Sequence, residues 1–287
     1  MYLISFALIL SALGIITYTW YEFRSKLKLH VNLKSPLLSK KLKLIKKYLK
    51  TTDGIRICSW YMPVKNSKAV LILVDGYKEV NDDKIRMFGH AEYLRKAGYS
   101  TLLIDLRGFG KSSGNKTTFG VKEWKEVETA YDYLKTLSEN KNKKIGFLGI
   151  SMGGVISIIA KAITGKGDFI IASTPFANFK SLFDFQIRKR GLPSFLFLPI
   201  LRTVALFELG FNYEHYTAIN MVGRVNAPML ITSAKHDRIV NSEDAKHIYD
   251  KANRPKEYWQ TNTTHRTFKD NPLVFQNKIL NFLSKYA

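Results

Sequence analysis

The stretch "KIGFLGISMGGVISIIAKAI", residues 144–163, sets an apolar run of strand length against an apolar run of helix length, with glycine at 149, 153 and 154 around Ser151. Its first seven residues are apolar on both faces, the pattern of a strand buried in a parallel sheet. The part after the glycines is long enough for a helix. G-x-S-x-G between a strand and a helix marks a strained turn that lifts the serine out as a nucleophile, and the flanking glycines remove Cβ atoms that would collide. The plainer alternative is a tight helix entry with Ser151 as its N-cap.

On either side the same alternation continues. Apolar runs of strand length lie at "AVLILV" (69–74), "STLLID" (100–105), "DFIIAS" (168–173) and "PMLITS" (228–233). Segments near 84–97, 121–138, 152–163 and 242–251 can supply crossover helices, so the pattern predicts an α/β, mostly parallel, doubly wound sheet. Upstream, "KYLKTTDGIRICSWYMP" carries an Asp53-Gly54 turn between β-rich runs and reads as a hairpin. No repeat or low-complexity tract suggests a second globular unit.

"DLRGFGKSSG", residues 105–114, ends like a nucleotide-binding P-loop. A P-loop needs glycine five residues before its Gly-Lys-Ser, and that place is Asp105. A carboxylate there would face the phosphates, and the residues that follow are turn-forming where a helix should begin. The stretch reads instead as a sharp turn after a strand.

A serine hydroxyl needs a base to take its proton and a carboxylate to orient that base. Of six histidines, His30, His90, His215 and His247 fall where a Ser–Asp–His order cannot use them, and His236 is adjacent to the candidate acid. His265, in the polar loop "TNTTHRTFKDNP" between a candidate edge strand "KEYWQT" and a C-terminal helix, is the expected base. Asp237, in "SAKHDRIV" at the end of the strand 228–233, is the expected acid, with a turn cap as its plain alternative. Asp244 and Asp250 read as ordinary solvated helix residues.

The chain of 287 residues is 46% apolar and carries a formal charge of +22. Ten lysines and arginines against Glu22 alone lie between Tyr21 and Thr51, and the remaining excess is scattered with no RNA-binding or helix-turn-helix signature, so a nucleic-acid partner is not expected. The first 21 residues have no charged side chain, and about 20 apolar residues in a helix span a bilayer's hydrocarbon. They lack the basic start and cleavage site of a signal peptide. We therefore expect a single-pass transmembrane anchor over 1–21 and a basic juxtamembrane segment over 22–42 lying on anionic lipid. The catalytic part, 43–287, is expected in the cytoplasm, because positive flanks stay inside. The lone Cys58 excludes an internal disulfide and reads as a small buried hydrophobe.

"TTDGIRICSWYMP", "LVDGY", "DLRGFGKSSG", "GISMGG", "SAKHDRIV" and "THRTF" follow one another as in the α/β-hydrolase superfamily, and the chain from about residue 43 onward resembles its bacterial serine aminopeptidase-like and lysophospholipase-like branch. The resemblance implies Ser151, Asp237 and His265 as the triad, with an oxyanion hole made by the backbone N–H groups of Tyr77 and Met152. The insertion at 177–226, rich in Leu and Phe with Pro193 and Pro199 as breakers, stands where the family carries a cap. It would either move as a lid over an acyl pocket or pack as a fixed helix pair.

One departure stands near the chemistry: the family has His-Gly where this chain has Asp75-Gly76. An active enzyme should hold the Asp75 carboxylate away from the oxyanion, on loop N–H groups or a cation such as Lys78. The expected activity is hydrolysis of carboxylic esters or thioesters of acyl or lipid-like substrates through an acyl-enzyme. No metal, cofactor or obligate protein partner is implied. A serine aminopeptidase-like peptidase and a catalytically silent membrane scaffold are the alternatives.

Overall fold

The computed structural model describes residues 2–28, 44–77 and 82–287, the side chains of 2–12 and 82–86 excepted. In chain order the elements are α1 (Tyr2–Leu27), β1 (Ile45–Lys50), β2 (Arg56–Met62), β3 (Val70–Val74), α2 (Asp82–Lys96), β4 (Ser100–Ile104), α3 (Trp124–Thr136), β5 (Ile145–Ile150), α4 (Met152–Thr164) and β6 (Ile170–Ser173). They continue with α5 (Phe179–Lys189), α6 (Ser194–Leu209), α7 (Ala218–Met221), β7 (Met229–Ala234), α8 (Ser242–Lys251), β8 (Lys256–Thr261), α9 (Thr267–Asp270) and α10 (Pro272–Tyr286).

The eight strands form one sheet in the order β1-β2-β4-β3-β5-β6-β7-β8, antiparallel at the β1, β2 and β4 pairings and parallel from β4 to β8. Along β5 the side chains of Ile145 and Phe147 join the apolar layer under α3 and α4, while Leu148 and Ile150 join the layer under α2 and α10. Both faces of the strand are therefore covered, which is why its sequence is apolar without alternation.

The 105–114 turn clamps the sheet. Gly110 has φ +57°, and a Cβ there would lie 2.3 Å from the Asp105 carboxylate, which accepts the N–H of Lys111. The hydroxyls of Ser112 and Ser113 accept the N–H groups of Cys58 and Arg56 on β2. Lys111 lies 5.7 Å from the ring of Trp60. The turn's residues are thus spent on structure, with the Asp105 side chain inside the turn.

The turn also carries Arg107, whose guanidinium is buried against Glu126 at 2.6 Å and Asp53 at 2.9 Å. Burial opposes the charge of Asp53, but hydrogen bonds from Thr51 and Arg107 and the nearby charges of Arg107 and Lys125 outweigh it and pull the carboxyl down to about 2. A depressed carboxyl stabilises the fold above its unfolded value and loses that contribution as the pH falls from about 4 to about 2. Asp53→Asn is expected to cost about 2 kcal/mol at neutral pH, with the difference from the wild type closing over that acidic range in urea titrations. A difference independent of pH would show that Asp53 acts by shape alone.

The N-terminal helix departs from expectation. α1 runs through the boundary expected at 21/22 without a break, and Thr19, Phe23 and Leu27, four residues apart on one face, are buried. That face packs on the cap helix α6, and Arg24 pairs with Glu208 at 3.6 Å. Among the described residues no helix is long and apolar enough to cross a membrane. The transmembrane helix expected over 1–21 is therefore not a feature of the described fold, and the first twelve side chains of that stretch lie outside it. Most of the basic segment, 29–43, likewise lies outside the described residues.

The insertion contains α5, α6 and α7. Pro193 precedes α6, but Pro199 lies inside it rather than ending it. Packing of Val204, Ala205 and Leu209 into the core holds this helix despite the hydrogen bond an internal proline removes.

Candidate active site

Ser151 follows the last residue of β5 and has φ +54° and ψ −118°, a conformation that costs a non-glycine residue about 1–3 kcal/mol. The glycines around it have specific steric causes. A Cβ on Gly149 would lie 2.1 Å from the carbonyl oxygen of Gly153, and one on Gly153 would lie 2.0 Å from that of Val74. The N–H of Ser151 donates to the carbonyl of Ser173 at 2.7 Å, tying the turn to the end of β6. On that neighbouring strand end Thr174 has φ +49°, a second strained position beside the turn.

The loop after β8 is wired internally: the N–H and hydroxyl of Thr264 donate to Asp270 at 2.7 and 2.6 Å. This places the buried His265 so that its Nδ1 lies 2.6 Å from Oδ2 of Asp237. A carboxylate can only accept, so Nδ1 donates to Asp237, which leaves Nε2 as the ring's acceptor. The other oxygen of Asp237 accepts the N–H groups of Ile239 and Val240 at 2.7 and 2.9 Å, which fixes the carboxylate plane. His236 is occupied elsewhere, 2.9 Å from Asn262.

Ser151, Met152, Gly76, Tyr77 and His265 line one cavity of about 400 Å³. Met152 opens α4, and the first N–H groups of a helix lack intrahelical acceptors. Gly76 lies over the elbow: a Cβ there would meet the carbonyl of Ile150 at 3.0 Å and Cβ of Ser151 at 3.2 Å. The ring of Tyr77 stacks on Phe119 with centroids 5.4 Å apart, and its hydroxyl donates to the carbonyl of Lys26 on α1.

Asp75 is buried, and its Oδ1 accepts the N–H of Gly76 at 2.9 Å, within its own loop. Lys78 lies outside the described residues. Held in this way the carboxylate should not oppose an oxyanion, so Asp75→Asn is expected to change kcat less than tenfold. A rise of a hundredfold, the size of a repulsion near 3 kcal/mol, would instead identify the charge as a brake.

Three contributions escaped the sequence reading. Glu123 is fully buried and accepts hydrogen bonds from the N–H groups of Thr118 and Gly120 and the hydroxyls of Thr117 and Thr118, so it organises the loop that presents Phe119 to Tyr77. Asp244 corrects an expectation: it is buried, and it accepts the N–H of Ala177 at 3.0 Å and the hydroxyl of Ser181 at 2.5 Å, fastening the start of the cap. Burial raises its carboxyl against those hydrogen bonds. Finally, Tyr18, Thr19, Glu22, Phe23 and Lys26 of α1 line the cavity. A hydrogen-bonding carboxylate next to a Thr-Thr-Phe-Gly loop was the available signal for Glu123; nothing local pointed to the other two.

A mostly parallel sheet with a serine on the turn after β5, an aspartate after β7 and a histidine after β8 is the arrangement of the α/β-hydrolase fold, and the chain has that fold. The family pattern described as "Serine aminopeptidase, S33" matches residues 65–196, somewhat under half the chain. The Bacillus subtilis (strain 168) protein YqkD is 27% identical over 191 residues, which are 65% of this chain and 62% of YqkD. The Mycobacterium tuberculosis (strain CDC 1551 / Oshkosh) protein MT2364 is 24% identical over 252 residues, 87% of this chain and 82% of that one. Among solved structures the Pyrococcus furiosus esterase Pf2001 superposes with a TM-score of 0.75 at 22% identity, covering 91% of this chain and 98% of the esterase.

Proposed function

We propose that this protein is a membrane-anchored serine hydrolase that cleaves carboxylic esters or thioesters of acyl or lipid-like substrates through an acyl-enzyme on Ser151. The observation that carries the reading is a serine on a strained strand-to-helix turn sharing one cavity with a histidine whose Nδ1 is committed to a carboxylate. In the first half-reaction Oγ of Ser151 attacks the carbonyl carbon and its proton passes to Nε2 of His265. The N–H groups of Tyr77 and Met152 receive the oxyanion, and in other enzymes removing one such donor costs about 3–4 kcal/mol. The C–O or C–S bond then breaks and the leaving group takes the proton from His265. Water repeats the sequence on the acyl-enzyme. Phe119, Phe176, Leu182, Phe183, Phe197 and Leu201 make the cavity apolar enough for an acyl chain.

The similarity to an esterase structure supports ester chemistry, whereas the serine aminopeptidase pattern favours a second reading, a peptidase using the same residues. A panel of acyl esters of graded chain length set against aminoacyl amides separates them. Esters of medium or long chains are expected to be the better substrates by kcat/KM. Turnover of the amides with no ester turnover would establish the peptidase.

We further propose that the uncharged stretch 1–21 anchors the chain, with the catalytic part in the cytoplasm. Support comes from the exposed Leu13, Ile16, Tyr18, Trp20 and Tyr21 of α1 and from Phe195, Phe207 and Phe211, each more than three-quarters exposed on the cap. The full chain should remain with membranes through a high-salt wash, because salt weakens electrostatic adsorption but not the insertion of apolar side chains. Release by salt alone would leave only charge as the attachment.

A further inference from the structure

The lining of the cavity is asymmetric in charge. Lys26, Lys189, Arg190, Arg238 and Arg266 line it against the single carboxylate of Glu22, among the described residues. They come from separate parts of the chain: α1, the end of α5, the loop after β7 and the loop after β8. Lysine and arginine at the end of α5 complement that helix's dipole. This accounts for Lys189, whereas Lys26 and Arg238 stand on other elements.

Their convergence is held by the fold. Lys189 donates to the carbonyl of Arg238 at 2.7 Å and Gln186 to that of Ile239 at 2.5 Å, so the end of the first cap helix is fastened to the loop bearing Asp237. Arg190 lies 3.9 Å from Glu22, and the carbonyl of Lys26 receives the hydroxyl of Tyr77. Arg238 directly follows the orienting acid, and Arg266 directly follows the base.

We propose that these side chains form an anion subsite on the leaving-group side of the cavity, which takes a phosphate or similar anionic group carried by the alcohol or thiol portion of an acyl substrate. The inference rests on the hydrolase reading for its chemistry. The group protonated as the acyl C–O or C–S bond breaks receives its proton from His265, so the leaving portion lies next to that histidine, where Arg266 and Arg238 stand. The departing oxygen or sulfur gains the proton, and the anionic group passes through unchanged. Arginine suits such a group because its fork of donors matches phosphate oxygens. Lys26, Lys189, Arg190 and Arg238 are exposed at the mouth of the cavity, so their attraction for an anion is greatest at low salt.

Binding tests the subsite without catalysis. Hexyl phosphate and hexanol are titrated by calorimetry into the full-length protein in a non-ionic detergent at low salt. The phosphate is expected to bind at least tenfold more tightly, about 1.4 kcal/mol, and Arg190→Gln combined with Arg238→Gln should remove most of that ratio. Equal affinities, or a ratio unchanged in the double variant, overturn the proposal.

Two matched pairs then distinguish the sources of the anion: 1-acylglycerol 3-phosphate against 1-acylglycerol, and acyl-coenzyme A against the acyl thioester of N-acetylcysteamine. A tenfold preference in kcat/KM for the first anionic member points to a lipid head group, and in the second to a soluble carrier. Both ratios near one would overturn the proposal as a statement about substrates. If hexyl phosphate binds as expected but a fluorophosphonate fails to label Ser151, the subsite stands and the hydrolase reading falls.

Discussion

A fluorophosphonate probe is expected to label the wild-type protein, and Ser151→Ala to abolish that labelling while circular dichroism shows an unchanged fold. The size of the effect follows from geometry. At φ +54° Ser151 lines the cavity and makes no side-chain cap to the helix it precedes, and no other residue occupies the turn between β5 and α4. Serine, histidine and acid act as one unit in such sites, so removing the nucleophile should lower ester turnover by about 10⁵–10⁶. The elbow survives the substitution because its steric demands fall on Gly149 and Gly153, whose positions leave no room for a Cβ. Undiminished labelling of the alanine variant would remove Ser151 from the chemistry.

Asp237→Asn is expected to lower kcat about 10⁴-fold with little change in stability, the magnitude seen when a triad aspartate becomes its amide. The surroundings of Asp237 force this outcome. Two backbone N–H groups, from Ile239 and Val240, claim one side-chain oxygen. An asparagine must keep its carbonyl oxygen there, so its amide NH₂ points at Nδ1 of His265, 2.6 Å from the oxygen it replaces. A donor facing Nδ1 drives the imidazole proton to Nε2, and a protonated Nε2 cannot accept from Ser151. The loss should appear in kcat across the whole pH range and should not be restored by raising the pH. A variant within tenfold of the wild type would mean that Asp237 is only a turn cap.

The two predictions differ in how far the sequence could anticipate them. The elbow is local, made by residues within six positions of one another, and a strand before it and a helix after it are visible as apolar runs. The Asp237–His265 pair spans 28 residues, yet chain order was enough to select it because few histidines remained. The orientation of the Asp237 carboxylate, on which the asparagine argument depends, was not legible, since it is set by the fold of the 237–240 loop.

By itself the sequence determined the alternation of strands and helices, the elbow at Ser151, the hairpin at Asp53-Gly54 and the turn at 105–114, because each is dictated by short-range sterics and by apolar runs buried on both faces. The tertiary structure alone decided the walls of the cavity. It buried one face of α1 against the cap, kept Pro199 inside a helix, withdrew Asp244 from solvent and set Glu123 under the loop of Phe119. It also gathered Lys26, Lys189, Arg190, Arg238 and Arg266 around one space. Each of these depends on which surfaces meet across the chain, and the free energy of such contacts comes from area and charge brought together only when the sheet has formed, so no window of neighbouring residues carries it.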